Sequence, residues 1–200
     1  MKFLELNKKR HAIKSFNTQP VDVKDVRTAI EIATLAPSAH NIQPWKFVVV
    51  KEKKAELAEI ARGGNRDQVL SSQFTIALFT DTDLIKRARK IARIGVKSLS
   101  DDLISYYIEN LPSQFAQFTD QQKSDYLALN AGIVAHNLVM ALTDQKIGAN
   151  IILGFDKSKA NAVLGIDDRF RPELLITVGY TDEKPEPSYR LPVDDIMEVR

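Results

Sequence analysis

Arg10, His11 and Lys14 stand within the nine residues KKRHAIKSF. A guanidinium there offers a planar fork that matches phosphate oxygens, and the Lys14 ammonium adds a second point charge. A solvated basic turn would carry the same residues, so the motif by itself leaves both readings open. The stretch PSAHNIQPWKFVVV places Pro37, Ser38, Ala39, Asn41 and the chain's only tryptophan, Trp45, ahead of an apolar run. Its hydroxyl and amide suit the alternating donor and acceptor edge of a uracil-like ring, and its prolines would hold backbone groups open toward a ligand. Alternatively, the loop's polar groups satisfy one another and Trp45 is plain core.

Three further segments carry similar ambiguity. In GGNRDQVLSSQ, Asn65 and Gln68 are three residues apart and would share one face of a helix. In IILGFD, Gly154 would allow close backbone approach to a ring beside an apolar wall from Leu153. SYRLP puts Arg190 near the C-terminus. Each of these would be an ordinary surface loop if met alone.

The elements that must position these residues follow from periodicity and punctuation. Residues 22–36 carry Val26, Ala29, Ile30 and Ala33 on one helical stripe, with Asp22 as N-cap and Pro37 ending the run. KFVVV reads as a strand, 53–62 as a short helix, and FTIALFT as a strand buried on both faces. Two helices are expected over 84–100 and 102–110. A long helix over 120–145, apolar almost all round, has a capping box at Thr119 and Gln122 and a stop at Gly148. His136 within it reads as a hydrogen-bonded core histidine, and His40 as a loop residue presenting its backbone. NIIL, a helix from Asp156 to Leu164 and the strand ELLITVGY complete an α+β order, with helices packed around a small sheet. So small a sheet leaves the long helix partly uncovered, which predicts a two-fold homodimer. The Pro-rich TDEKPEPSYRLP reads as an extended arm.

Composition narrows the function classes. The 200 residues, 44% hydrophobic and 27% charged, suit one domain around one core. Net charge is +2, from 28 basic and 26 acidic side chains that read as dispersed, so neither nucleic acid nor an anionic membrane is expected as a partner. With no cysteine, thiolate metal sites, disulfides and cysteine nucleophiles are excluded, and no metal site is expected. The N-terminus lacks a signal peptide's apolar core, and no run reaches the roughly 18–20 apolar residues of a membrane span. A soluble, cytoplasmic protein is expected.

Taken together, the five segments resemble the nitroreductase family of FMN-dependent, oxygen-insensitive enzymes. RHAIKSF resembles that family's opening basic motif, PSAHNIQPWKFVVV its Pro-Ser loop with Gln-Pro-Trp and a strand, and RLP its terminal phosphate-binding arginine motif. The resemblance implies an intertwined α+β homodimer, with a small, mostly antiparallel sheet and exchanged C-terminal arms. It implies FMN as cofactor and NAD(P)H as hydride donor. Arg10 and Arg190 would hold the FMN phosphate, with His11 beside it. Lys14, Asn65 and Gln68 would address the polar edge of the flavin. Pro37, Ser38, Ala39 and Asn41 would line it from the other subunit, and Ile152, Leu153 and Gly154 would lie against its reactive side. No catalytic triad is needed, and no catalytic side chain is expected. The implied reaction carries two electrons to a nitroaromatic or quinone by a ping-pong route. A pteridine, enone or free-flavin acceptor, or a flavin-holding sensor without turnover, are the alternatives. Ala12, Gln68, Leu153 and Ser188 depart from residues frequent in the family, leaving less positive charge and a more apolar pocket. Tyr106, Tyr107, Phe115, Phe118 and Tyr126 are expected either as a substrate wall or as packing.

Overall fold

The structure, a computed structural model, describes residues 2–184, 186 and 188–200. Helix α1 (Phe3–Lys9) buries no side chain and leads over the surface into residues 10–17. Helix α2 (Val23–Ala33) begins where the Asp22 carboxylate accepts the Lys24 N–H at 2.8 Å, satisfying one free donor of a helix start. It buries Val26, Ala29 and Ala33, the expected stripe. Strand β1 (Trp45–Val50), helices α3 (Lys54–Glu59) and α4 (Asn65–Ser71), and strand β2 (Phe74–Asp81) follow. β2 is buried along its whole length, as a continuous apolar run requires.

The next region is more broken than its sequence suggests. It forms α5 (Leu84–Gly95), α6 (Asp101–Ser105), a π-helical turn at Tyr106–Asn110 and α7 (Leu111–Ala116). Pro112 supplies the physical reason for the π-turn: it has no N–H to give to the preceding turn, and its ring pushes the carbonyl four residues back out of register.

Helix α8 (Asp120–Asp144) carries the expected capping box. Thr119 Oγ1 accepts the Gln122 N–H at 3.2 Å, and Gln122 Oε1 accepts the Thr119 N–H at 2.9 Å. Contrary to the sequence expectation, α8 is long and apolar enough to cross a bilayer by length and composition. Burial of Leu127, Val134, Leu138 and Leu142 within the fold accounts for that apolar character. His136 is exposed, not a core residue, because it falls on the outward side of the helix.

The stop of α8 also differs. Lys146, with φ 62°, takes the left-handed position past the helix end. Its N–H donates to the Thr143 carbonyl at 3.0 Å, and the Ile147 N–H to the Leu142 carbonyl at 2.9 Å, the paired bonds of a Schellman ending. Gly148 lies beyond it, opening strand β3 (Gly148–Ile152). A Cβ there would lie 2.9 Å from the Gly179 carbonyl and 3.0 Å from Ile13, so this glycine serves close packing instead. Lys146→Gly is therefore expected to stabilise the protein by about 1 kcal/mol, because glycine takes a left-handed φ without a Cβ clash. A thermal melt should show Tm raised by roughly 2–4 °C.

Asp156 caps α9 (Lys157–Leu164), and strand β4 (Phe170–Gly179) completes an antiparallel sheet of order β1-β2-β4-β3. Alternate residues face opposite layers. Ile76, Leu78, Ile176 and Val178 pack toward α2 and α8, and Ala77, Phe79 and Leu175 toward α3, α4 and α9. A third cluster joins α5, the π-turn, α7 and the start of α8 through Ala88, Tyr107, Leu111, Phe115 and Leu127. This is the α+β architecture expected from the sequence.

The free edge of β3 is partly covered by the segment after α1. Ala12 bridges Ala149, the Ile13 N–H donates to the Ala149 carbonyl at 3.1 Å, and the Asn17 N–H to that of Tyr180 at 2.8 Å. Beyond β4, Asn17 Nδ2 donates to the Asp182 carboxylate at 2.9 Å. Most of the chain from Glu183 on is exposed, with a short helical turn at Val193–Asp195. The expected arm includes Pro185 and Pro187, which lie outside the described residues.

Candidate functional site

The loop between α2 and β1 is strained and heavily braced. His40, Asn41 and Gln43 have φ of 55°, 49° and 47°, left-handed conformations that cost non-glycine residues free energy and recur at functional sites. Neighbours hold them there. Asn130 Oδ1 accepts the Ala39 N–H at 2.9 Å, and the Tyr126 hydroxyl donates to the Ala39 carbonyl at 2.7 Å. The Tyr107 hydroxyl donates to the His40 carbonyl at 2.7 Å, and the Tyr106 hydroxyl lies 2.9 Å from His40 Nδ1. Ser38 Oγ accepts the Gln43 N–H at 3.0 Å, and the Arg87 guanidinium donates to the Ile42 and Gln43 carbonyls.

Most of the loop's backbone groups are thus satisfied by the protein, and Trp45 is core. What faces solvent is the outer surface of Pro37, Ala39, His40 and Asn41. The tyrosines bind the loop from behind. Burial pushes the Tyr107 and Tyr126 hydroxyls above the ordinary phenol range, with the neighbouring tyrosines adding to it, so both remain donors. Sequence reading missed Asn130 and Arg87. Asn130 had a usable signal, since a polar side chain in a helix apolar nearly all round needs a buried partner. Arg87 had none, being one cation among many on α5.

A second group gathers at the β3 edge. Asn65 and Gln68, on one face of α4 as expected, link directly, with Gln68 Nε2 donating to Asn65 Oδ1 at 3.4 Å. Asn150 Nδ2 donates to Gln68 Oε1 at 2.6 Å, and Asn65 Nδ2 to the Gly154 carbonyl at 3.1 Å. A Cβ on Gly154 would fall 2.7 Å from that Asn65 amide, so the open side of this glycine receives Asn65. The Ile152 side chain is buried in the core, and Leu153 is 67% exposed beside it.

Lys14 is carried on the same edge, because residues 12 and 13 are tied to Ala149. A cleft of about 550 Å³ opens there, lined by His11, Ala12, Ile13 and Lys14 on one side and Glu183, Lys184, Glu186 and Ser188 on the other. Its size lies within the roughly 300–1,000 Å³ usual for small-ligand sites. His11 Nδ1 lies 3.0 Å from the Lys9 carbonyl. Among the described residues, neither Arg10 nor Lys14 is in an ion pair. Of the expected residues only His11 and Lys14 line the cleft, facing Glu183 and Glu186, while Arg10, Asn65 and Gln68 lie outside its lining; a cation beside nearby carboxamides is nonetheless a donor set that suits a planar polar ring bearing a phosphate, as FMN does. Arg190 is exposed and donates to the carbonyl of its neighbour Tyr189 at 2.7 Å; it is not among the residues lining this cleft.

One chain does not bring the two groups together. The 37–41 loop feeds β1 and the second group lies along β3, the opposite edges of the four-stranded sheet, about 14 Å apart at normal strand spacing.

Comparison with known proteins shows the family. The sequence model of the nitroreductase family matches residues 8–180. A candidate NAD(P)H nitroreductase of Streptococcus pyogenes is 72% identical over 100% of both chains. A solved nitroreductase family protein from Streptococcus pneumoniae is also 72% identical, with a TM-score of 0.98 over 100% of both chains. A candidate nitroreductase from Exiguobacterium sibiricum, solved in complex with FMN, is 26% identical with a TM-score of 0.93 over 100% of this chain and 98% of that one. The family match begins just before Arg10 and runs one residue past β4, taking in the whole sheet and both residue groups, and on that extent the chain belongs to the nitroreductase family.

Proposed function

We propose that this protein is a cytoplasmic, homodimeric, FMN-dependent oxidoreductase that moves two electrons from NAD(P)H to a nitroaromatic or quinone acceptor. The observation that carries the reading is the split site: a braced loop at one sheet edge and an amide-and-cation group at the other, each incomplete alone. A second copy would supply the missing half. Exposed apolar residues support that pairing. Leu129 on α8 is 66% exposed and Leu35 after α2 is 81% exposed. Asn137 Nδ2 donates to the Ile32 and Ala33 carbonyls, joining α2 to α8. These two helices are where a second copy would dock.

In this assembly Arg10 and the arm's Arg190 would hold the FMN phosphate beside His11. Lys14, Asn65 and Gln68 would meet the ring's polar edge. Pro37, Ser38, Ala39 and Asn41 of a second subunit would close over it. On the reactive side, Leu153 and Gly154 would form the wall, with Ile152 adding only backbone. Bound FMN supplies the redox chemistry, accepting hydride from NAD(P)H and passing two electrons on. The chain's own task is to bind, orient and tune by charge.

The test is the absorbance spectrum of the purified protein, then bleaching by NADH or NADPH with and without menadione. A yellow dimer that bleaches, recovers on adding menadione and shows parallel initial-rate lines supports the reading. A yellow protein that never bleaches would be a flavin-holding protein, and a colourless monomer that takes up no FMN ends the proposal. Lys14→Ala is expected to make bound FMN harder to reduce, because a nearby cation stabilises the negative charge that reduction brings. A redox titration should show the midpoint potential moved negative; an unchanged potential removes Lys14 from the ring's edge.

A further inference from the structure

The charges are less dispersed than composition suggests. Between Asp83 and Asp101 the chain carries Lys86, Arg87, Arg89, Lys90, Arg93 and Lys97, and no carboxylate. On α5 the pairs Lys86–Lys90 and Arg89–Arg93 are like charges one turn apart, which oppose the helix they sit on. An ordinary solvated face would interleave acids. Around a depression of about 440 Å³, α5 presents Lys86, Arg87, Arg89, Lys90 and Arg93 together with Arg169. Arg169 is engaged by Asp81, and Arg87 by the loop carbonyls. Among the described residues, Lys86, Arg89, Lys90 and Arg93 are in no ion pair.

A second depression, of about 340 Å³, shares Arg87 and Lys90 with the first and runs to Asn41 and Gln43 past the apolar Ile91, Ile94 and Leu99. The two depressions adjoin at Arg87 and Lys90. One end touches the loop that the proposed function sets against the flavin, the middle is apolar, and the flank is cationic. The 12 residues of α5 span about 18 Å, a length that suits an extended dinucleotide.

We propose that the cationic face of α5 binds the phosphates of the nicotinamide donor, the adenosine 2′-phosphate above all, and makes this protein prefer NADPH to NADH. The inference rests on the function proposed above, since it needs the donor's ring at the 37–41 loop. Clustered guanidinium and ammonium groups without internal anions are the chemistry that recognises a phosphate dianion. A nucleic acid is the poorer match, because the patch is one helix face on a chain of net charge +2.

The test uses the FMN-loaded protein and the double variant Arg89→Ala with Arg93→Ala. The wild type should use NADPH at least about tenfold better than NADH in kcat/KM, and the variant should lose most of that ratio. The NADPH KM should also rise more steeply with salt than the NADH KM. Calorimetry should find adenosine 2′,5′-bisphosphate bound more tightly than AMP by the wild type, and equally weakly by the variant. Lys51→Glu, at the far end of β1 from the loop, controls for a net change of two surface charges. Equal use of both donors, an equal fall for both, the same fall with Lys51→Glu, or duplex DNA bound more tightly than the bisphosphate would overturn the proposal. A preparation that turns over with neither donor counts against the proposed function alone, because the calorimetry still decides the anion site.

Discussion

Arg169→Ala is expected to lower the unfolding free energy by about 3 kcal/mol, the cost of leaving a buried carboxylate without its cation. The Asp81 side chain is 0% exposed and accepts from Arg169 Nε at 2.7 Å and NH2 at 2.5 Å. The Arg169 side chain is 32% exposed, so solvent would recover part of the loss, which places the value at the low end for a broken buried pair. Asp81 Oδ1 also accepts the Asp83 N–H at 3.1 Å, and the Asp81 N–H donates to the Pro44 carbonyl at 2.7 Å. The pair therefore ties the ends of β2 and β4 to the exit of the strained loop. Urea melts at one fixed protein concentration should show the midpoint lowered by roughly 1–2 M. A shift below a third of that would mean that water already screens the pair.

Arg190→Ala is expected to weaken FMN retention by about 2–4 kcal/mol, roughly 30- to 1,000-fold in Kd, as removal of a charge-assisted contact to phosphate should. Its fold cost should be negligible. Arg190 is exposed, and its hydrogen bond goes to the adjoining Tyr189 carbonyl. That separation makes the experiment clean: a fluorescence titration with FMN should move while Tm of the flavin-free protein does not. Arg10→Ala should weaken binding too, but Arg10 is half-buried at the end of α1, so some stability would go with it. An Arg190→Ala protein that holds FMN as the wild type does would show that the arm never reaches the phosphate.

Much of the fold was legible because its signals are local. The Asp22, Asp156 and Thr119 caps each bond the backbone within three residues. The stripe of α2 and the apolar run of β2 state their burial through period alone. Where the sequence misled, a local rule was overridden. Gly148 looked like the stop of α8, yet Lys146 accepts the left-handed φ, since Ile147 and Leu142 pack together in the core while their backbone bond closes the end. His136 looked internal because nearly every neighbour is apolar, and only the packing of α8 shows which side faces out.

By itself the sequence determined the α+β order, the residue types a phosphate-bearing flat ligand needs and the family resemblance, because caps, periodicity and short motifs act over a few residues. The tertiary structure decided how those residues are held. It gave the tyrosines, Asn130 and Arg87 the task of bracing three left-handed residues, and it put Asn65 against Gly154. It also set the 37–41 loop and the β3 group on opposite edges of one sheet. These are contacts between residues tens of positions apart, and their geometry arises only when the layers pack, so no local pattern encodes them.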